Sequence, residues 1–151
     1  MEFHTDYKTL IAQVGALVEG IPHTVANLAN TSAAIWQAMP GLNWAGFYIL
    51  EGSTLILGPF QGKPACIEIP VGKGVCGTAA QLGETVLVPD VHAFPGHIAC
   101  DCASNSEIVV PIFRQGKIWG VLDIDSPHLD RFSNQDRAAL EQLVKVLEQT
   151  L

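Results

Sequence analysis

Glu107-Ile108-Val109-Val110-Pro111-Ile112-Phe113-Arg114-Gln115-Gly116-Lys117-Ile118-Trp119-Gly120-Val121-Leu122-Asp123-Ile124-Asp125 is the stretch that decides the fold. An apolar, β-branched run reaches a polar turn at Arg114-Gln115-Gly116, and a second apolar run returns from it. That is the pattern of an antiparallel hairpin. Strand side chains alternate between faces, so Ile118, Gly120, Leu122 and Ile124 are expected on one face and Asp123 and Asp125 on the other. Two acids on an apolar strand are costly to bury unless they are solvated or paired, and a cationic ligand such as an α-ammonium group would offset that cost. Glu107 opens the first strand and is a candidate proton donor if burial raises its pKa.

Upstream of the hairpin, residues 85–88 read as a strand stopped by Pro89-Asp90, and residues 75–82 as a short helix ended by Gly83. Residues 65–69 read as another strand, with Ile67 and Ile69 on one face and Cys66 and Glu68 on the other. Residues 43–50 form an aromatic and aliphatic strand that turns at Glu51-Gly52 and returns over 54–57. Trp44 and Tyr48 share a parity on it, and Trp44 beside a ligand ammonium would allow a cation–π contact. Tyr7, Leu10, Ile11, Val14 and Leu17 recur at helical spacing, as do Val25, Leu28, Ala29, Ile35, Trp36 and Met39, with Thr24 as a candidate cap for the second helix. Ser133 with Asp136 opens a last helix carrying Leu140, Leu143, Val144 and Leu147.

The order is helix, helix, three strands, short helix, three strands, helix. It predicts an α+β fold: a central antiparallel sheet, terminal helices on one face and a ligand pocket under loops on the other. No repeat or linker divides the 151 residues, so 1–151 is expected to be one domain. Hydrophobic residues make up 48% and charged residues 15%, which argues against disorder. A net charge of −7 with no run of Lys and Arg makes nucleic acid and anionic membranes poor partners. The start Met1-Glu2-Phe3-His4-Thr5-Asp6 lacks the features of a secretory signal, and no apolar run is long enough for a membrane span, so a cytoplasmic protein is expected.

Residues 91–105 fit neither period and form a long loop, a common place for function. It holds Phe94-Pro95-Gly96-His97-Ile98-Ala99-Cys100-Asp101-Cys102, where a cysteine is easily presented to a substrate. Cysteine chemistry needs the thiolate, and His97 is a candidate to favour it, although Cys100 could instead be a small buried hydrophobe. Among the four cysteines, Cys66 and Cys76 are alternative partners for Cys100, and Cys102 allows a local disulfide or a shared metal site. Gly72, Gly74 and Gly77 form no phosphate-binding fingerprint.

Gly58-Pro59-Phe60-Gln61-Gly62, Ala65-Cys66, Gly72-Lys73-Gly74-Val75-Cys76-Gly77, Phe94-Pro95-Gly96-His97-Ile98-Ala99-Cys100-Asp101, Ser104-Asn105-Ser106-Glu107 and Gly120-Val121-Leu122-Asp123-Ile124-Asp125-Ser126-Pro127 resemble the GAF-domain free methionine-(R)-sulfoxide reductases. The resemblance covers nearly the whole chain. It implies a GAF-like catalytic domain over 1–151 that reduces free L-methionine (R)-sulfoxide, not a residue within a polypeptide. It implies Cys100 as nucleophile, Cys66 as the favoured resolving cysteine, and Cys76 as a third cysteine that assists or substitutes. It further implies Glu107, Asp123 and Asp125 as an acidic substrate pocket with Trp44 beside it, and thioredoxin as electron donor. No cofactor or metal is required, repair of methionine under oxidative stress is the implied purpose, and a homodimer through the terminal helices is an expected assembly. A noncatalytic GAF sensor of a small molecule is the alternative. Cys102 is an addition to the usual pattern.

Overall fold

Strands β5 (Ser106–Arg114) and β6 (Lys117–Ser126) form the expected hairpin. Gln115 and Gly116 make its turn with φ of 53° and 76°, the sign that matches the twist of a tight hairpin. The computed structural model describes residues 2–97 and 103–151, so Cys100, Asp101 and Cys102 lie outside the described residues.

The remaining strands add to the two sides of this hairpin. They are β1 (Trp44–Glu51), β2 (Thr54–Gly62), β3 (Glu68–Pro70) and β4 (Val86–Val88). The sheet order is β3-β2-β1-β6-β5-β4, and each neighbouring pair is antiparallel. Helices α1 (Tyr7–Val18), α2 (Thr24–Ala38) and α4 (Asn134–Glu148) cover one face. Their Leu10, Val14, Leu28, Ile35, Leu140 and Leu143 pack against Ala45, Phe47, Ile108, Val110, Leu122 and Ile124. Helix α3 (Gly74–Leu82) covers the other face, where Val75, Cys76 and Ala79 meet Trp44, Tyr48, Val109 and Val121. The α+β architecture with helices from both chain ends on one face is therefore as the residue pattern predicts. Among the described residues, no helix is long and apolar enough to cross a membrane.

Several local expectations change. Thr24 is the first residue of α2 and not its cap; His23 precedes it without a side-chain capping bond. The cap that does form on the first helix is Asp6, which accepts from the Thr9 amide. On α4, Ser133 and Asp136 complete the capping box. Strand β2 runs on to Gly62, with a register shift opposite Gly46 and Tyr48. Strand β3 begins only at Glu68, which leaves Cys66 on the connection between β2 and β3. Ile67, just ahead of the strand, is 70% exposed, while Ile69 is buried. Ile118 also departs from the expected alternation: it packs with the α3-side cluster. The pairing steps from Ile112–Gly120 to Phe113–Ile118, and this irregularity around Trp119 reverses the parity. Within the 91–105 loop, Val91–Ala93 forms one 3-10 turn.

Helix α3 sits very close to the chain that leads into it. A Cβ on Gly77 would lie 2.5 Å from the Pro70 carbonyl oxygen, so only glycine fits there. The Gly72 amide donates to the Gly77 carbonyl at 2.8 Å, which fixes the first turn of the helix and the neighbouring Cys76.

Candidate active site

Sheet register assembles the acidic residues. Trp44 of β1 lies opposite Asp125 of β6, which lies opposite Glu107 of β5. In the adjacent row Gly46 lies opposite Asp123, and Asp123 opposite Val109. These positions share the sheet face that α3 covers. Cys76 reaches the same place from α3: its sulfur and one oxygen each of Glu107 and Asp123 lie within 4.8 Å of one another. Glu107, Asp123, Cys76 and Trp44 are all buried. The charge-bearing atoms are thus held inside the protein by a rigid sheet and a helix, with no long flexible element between them.

Burial dominates the electrostatics of this group. It pushes the Glu107 carboxyl well above its usual range, and the nearby Asp123 and Asp125 charges push it further. Burial raises Asp123 too, while hydrogen bonds from Glu107 and Cys76 act in the opposite sense and favour its charged form. Cys76 is a free, buried thiol, and burial with the neighbouring acids keeps it protonated. Glu107 and Cys76 therefore stand as neutral donors beside Asp123. One Asp123 oxygen, Oδ1, has no hydrogen-bond partner among the described residues. A buried acceptor in this state favours a ligand that brings donors or positive charge.

The aromatic residues of β1 grip the connection that carries Cys66. The Trp44 indole N–H donates to the Lys63 carbonyl at 3.1 Å, and the Tyr48 hydroxyl donates to the Cys66 carbonyl at 2.8 Å. Trp44 stacks on Phe60 at 5.1 Å, a contact that needs Gly46 because a Cβ there would lie 2.3 Å from the Phe60 Cβ. Cys66 itself is disulfide-bonded.

The two flanks of the 98–102 segment stand beside the acidic group. His97 is close enough to Asp123 for their charges to interact. Burial, with His92 nearby, lowers the His97 pKa from 6.5, so its ring is neutral at pH 7 and supplies little charge to favour a thiolate. On the other flank, Asn43 donates through its side chain to Ser104 at 3.0 Å and through its amide to the Asp125 carbonyl at 3.0 Å. Asn105 ties the loop down: its carbonyl accepts from Val91, its amide donates to Ser126, and its side chain donates to Pro127 at 2.7 Å.

The family model of the GAF domain matches residues 16–151. The free methionine-R-sulfoxide reductase of Escherichia coli (strain K12) is 53% identical over 150 residues, covering 99% of this chain and 89% of that protein. The fRMsr of Staphylococcus aureus in its reduced form superposes with a TM-score of 0.97 at 53% identity, covering 100% of this chain and 99% of the other. This chain is a GAF-domain protein of the free methionine-R-sulfoxide reductase family. The fRMsr of Staphylococcus aureus in complex with substrate also superposes on it, with a TM-score of 0.95 at 52% identity over 100% of this chain and 99% of the other.

In this free methionine-R-sulfoxide reductase family fold, most of the residues singled out from the sequence come together. Glu107, Asp123, Asp125, Trp44 and Cys76 converge on one face. Cys66 comes to the edge of the same face through the Tyr48 bond. Cys100 lies outside the described residues. Two relations escaped the sequence reading: the approach of Cys76 to Glu107 and Asp123 and the bond from Tyr48 to Cys66. The equal parity of Trp44 and Tyr48 on β1 was the only signal for the second.

Proposed function

We propose that this chain reduces free L-methionine (R)-sulfoxide to L-methionine in the cytoplasm, acting over 1–151 as one catalytic domain with thioredoxin as reductant. The observation that carries this reading is the group of buried Glu107 and Asp123 with half-buried Asp125, on the face that a disulfide-bonded Cys66 packs against, in a chain of this family. The acids suit a ligand with a free ammonium group, which a methionine inside a polypeptide lacks. Trp44 offers that group an aromatic neighbour.

The reaction then runs as follows. The Cys100 thiolate attacks the sulfoxide sulfur, and protonated Glu107 supplies a proton to the sulfoxide oxygen. In the adduct the hydroxyl passes from the substrate sulfur to the Cys100 sulfur, so one S–O bond breaks as another forms; the S–S bond breaks with its electron pair going to the substrate sulfur, methionine leaves, and Cys100 is left as a sulfenic acid. The Cys66 thiol gives up its proton and its thiolate attacks that sulfur; an S–S bond forms, the S–O bond breaks and the hydroxyl takes that proton and leaves as water. A thioredoxin dithiol reduces the disulfide by exchange and becomes a disulfide itself. Cys66 in a disulfide and Cys76 as a free, protonated thiol support Cys66 as the resolving residue. Cys76 instead keeps a protonated thiol beside Glu107 and Asp123 and helps hold the acidic pocket. Pairing of two copies through the terminal helices completes the reading, and sedimentation at working concentration tests it.

A turnover assay with separated free methionine sulfoxide epimers, thioredoxin, thioredoxin reductase and NADPH tests the function. Selective NADPH use with the free R epimer is the expected result; no activity from fully reduced protein would overturn it. The role of Cys76 has its own test. Cys76→Ser keeps a donor and should retain turnover within about threefold, whereas Cys76→Val should raise KM by about tenfold, the worth of one hydrogen bond to a charged group. Equal loss in both variants would point to sulfur chemistry at Cys76.

A further inference from the structure

We propose that Tyr48 is a positioning residue for the second chemical step, its hydroxyl holding the strap that carries Cys66 where that cysteine closes the disulfide. This rests on the reading of Cys100 as nucleophile and Cys66 as its resolving partner.

Cys66 lies on no strand. Residues 63–67 cross between β2 and β3, and among the described residues three hydrogen bonds hold them to the sheet. The Leu57 amide donates to the Ile67 carbonyl at 2.9 Å, the Trp44 indole to the Lys63 carbonyl at 3.1 Å, and the Tyr48 hydroxyl to the Cys66 carbonyl at 2.8 Å. The last fixes the cysteine's own carbonyl. The outer side of the strap is in solvent, as the 70% exposure of Ile67 shows, so its grip comes from the sheet side. Tyr48 is 2% exposed, and burial together with the acids raises its pKa, so the phenol remains a donor across the working pH range.

Strand β1 also pairs with β6, which carries Asp123 and Asp125. The floor of the substrate site and the anchor of the strap are therefore one rigid piece. Closing an intramolecular disulfide depends on the effective concentration of the attacking sulfur, and fixing the Cys66 carbonyl raises it. In that step the Cys66 thiolate gives its electron pair to the Cys100 sulfenic sulfur, the S–O bond breaks, and the hydroxyl takes up the proton that the Cys66 thiol released and departs as water. The first step uses neither the strap nor Cys66. Tyr48 therefore acts on resolution more than on substrate reduction.

The test is Tyr48→Phe, which removes only the hydroxyl, in a single-turnover experiment with fully reduced protein and one equivalent of free R-sulfoxide. Methionine release, disulfide formation and sulfenic acid trapped by a cyclic 1,3-dione are followed by quenched flow. Disulfide formation should slow by about tenfold while methionine release falls by less than about threefold, with trapped sulfenic acid accumulating on Cys100. Disulfide formation that keeps its wild-type pace, or equal slowing of both steps, would overturn the proposal. Wild-type protein that released no methionine would overturn the underlying reading and the proposal with it.

Discussion

Glu107→Gln is expected to lower kcat/KM by about 10²- to 10⁴-fold, the range for removing a general acid, and at the same time to raise the melting temperature at neutral and alkaline pH. Both effects have one cause. Burial and two neighbouring acids hold the Glu107 pKa well above 4.5, so the folded protein prefers the neutral carboxyl. The stability this group contributes is fully present below 4.5, the unfolded value, and is lost as pH rises through the folded pKa. Glutamine keeps a donor toward Asp123 but cannot ionise, so the variant escapes that loss. The melting-temperature difference should open above pH 4.5 and widen with pH until Glu107 is ionised in the wild type. Thermal unfolding across pH, beside pH profiles of kcat/KM for free R-sulfoxide, checks both halves. Unchanged kinetics would remove Glu107 from proton transfer, and a variant less stable at pH 8 would contradict the electrostatic account.

Cys66→Ser should separate the two chemical steps. Serine leaves the acidic pocket and the strap in place but cannot form an S–S bond. Reduced variant mixed with excess sulfoxide should release one equivalent of methionine per chain and then stop, with thioredoxin-linked turnover reduced by more than about 10²-fold. The decisive reading is the ratio of methionine to protein. Continued thioredoxin-linked turnover at the wild-type rate would assign resolution to Cys76 or Cys102.

The sequence carried the sheet well because its signals there are local. Alternation along residues 107–125 put Asp123 and Asp125 on one face and Ile124 and Leu122 on the other, as the structure has them. Ile118 escaped because the irregularity at Trp119 reverses parity, and a continuous apolar run gives no sign of a bulge. Cys66 was read as a strand residue because alternating apolar positions at 67 and 69 resemble one; β3 begins after Ile67, which is exposed. The meeting of Cys76 with Glu107 and Asp123 was out of reach altogether. It depends on how closely α3 crosses the sheet, which Gly77 sets through a contact with Pro70 some residues away. Cys100 stood out by its place in a polar loop, whereas the preference for Cys66 over Cys76 as its partner came from the motif resemblance, since spacing alone left the two equivalent.

One experiment bears most directly on the claim that a thiol of this chain reduces the free sulfoxide and is resolved by Cys66. Fully reduced protein receives one equivalent of free L-methionine (R)-sulfoxide without thioredoxin, and the products are digested and mapped by mass spectrometry. The account expects stoichiometric methionine and a peptide pair joined through Cys66 and Cys100, with Cys76 still a thiol. Methionine formed with Cys76 or Cys102 joined to Cys100 in place of Cys66, or no methionine at all, would contradict it.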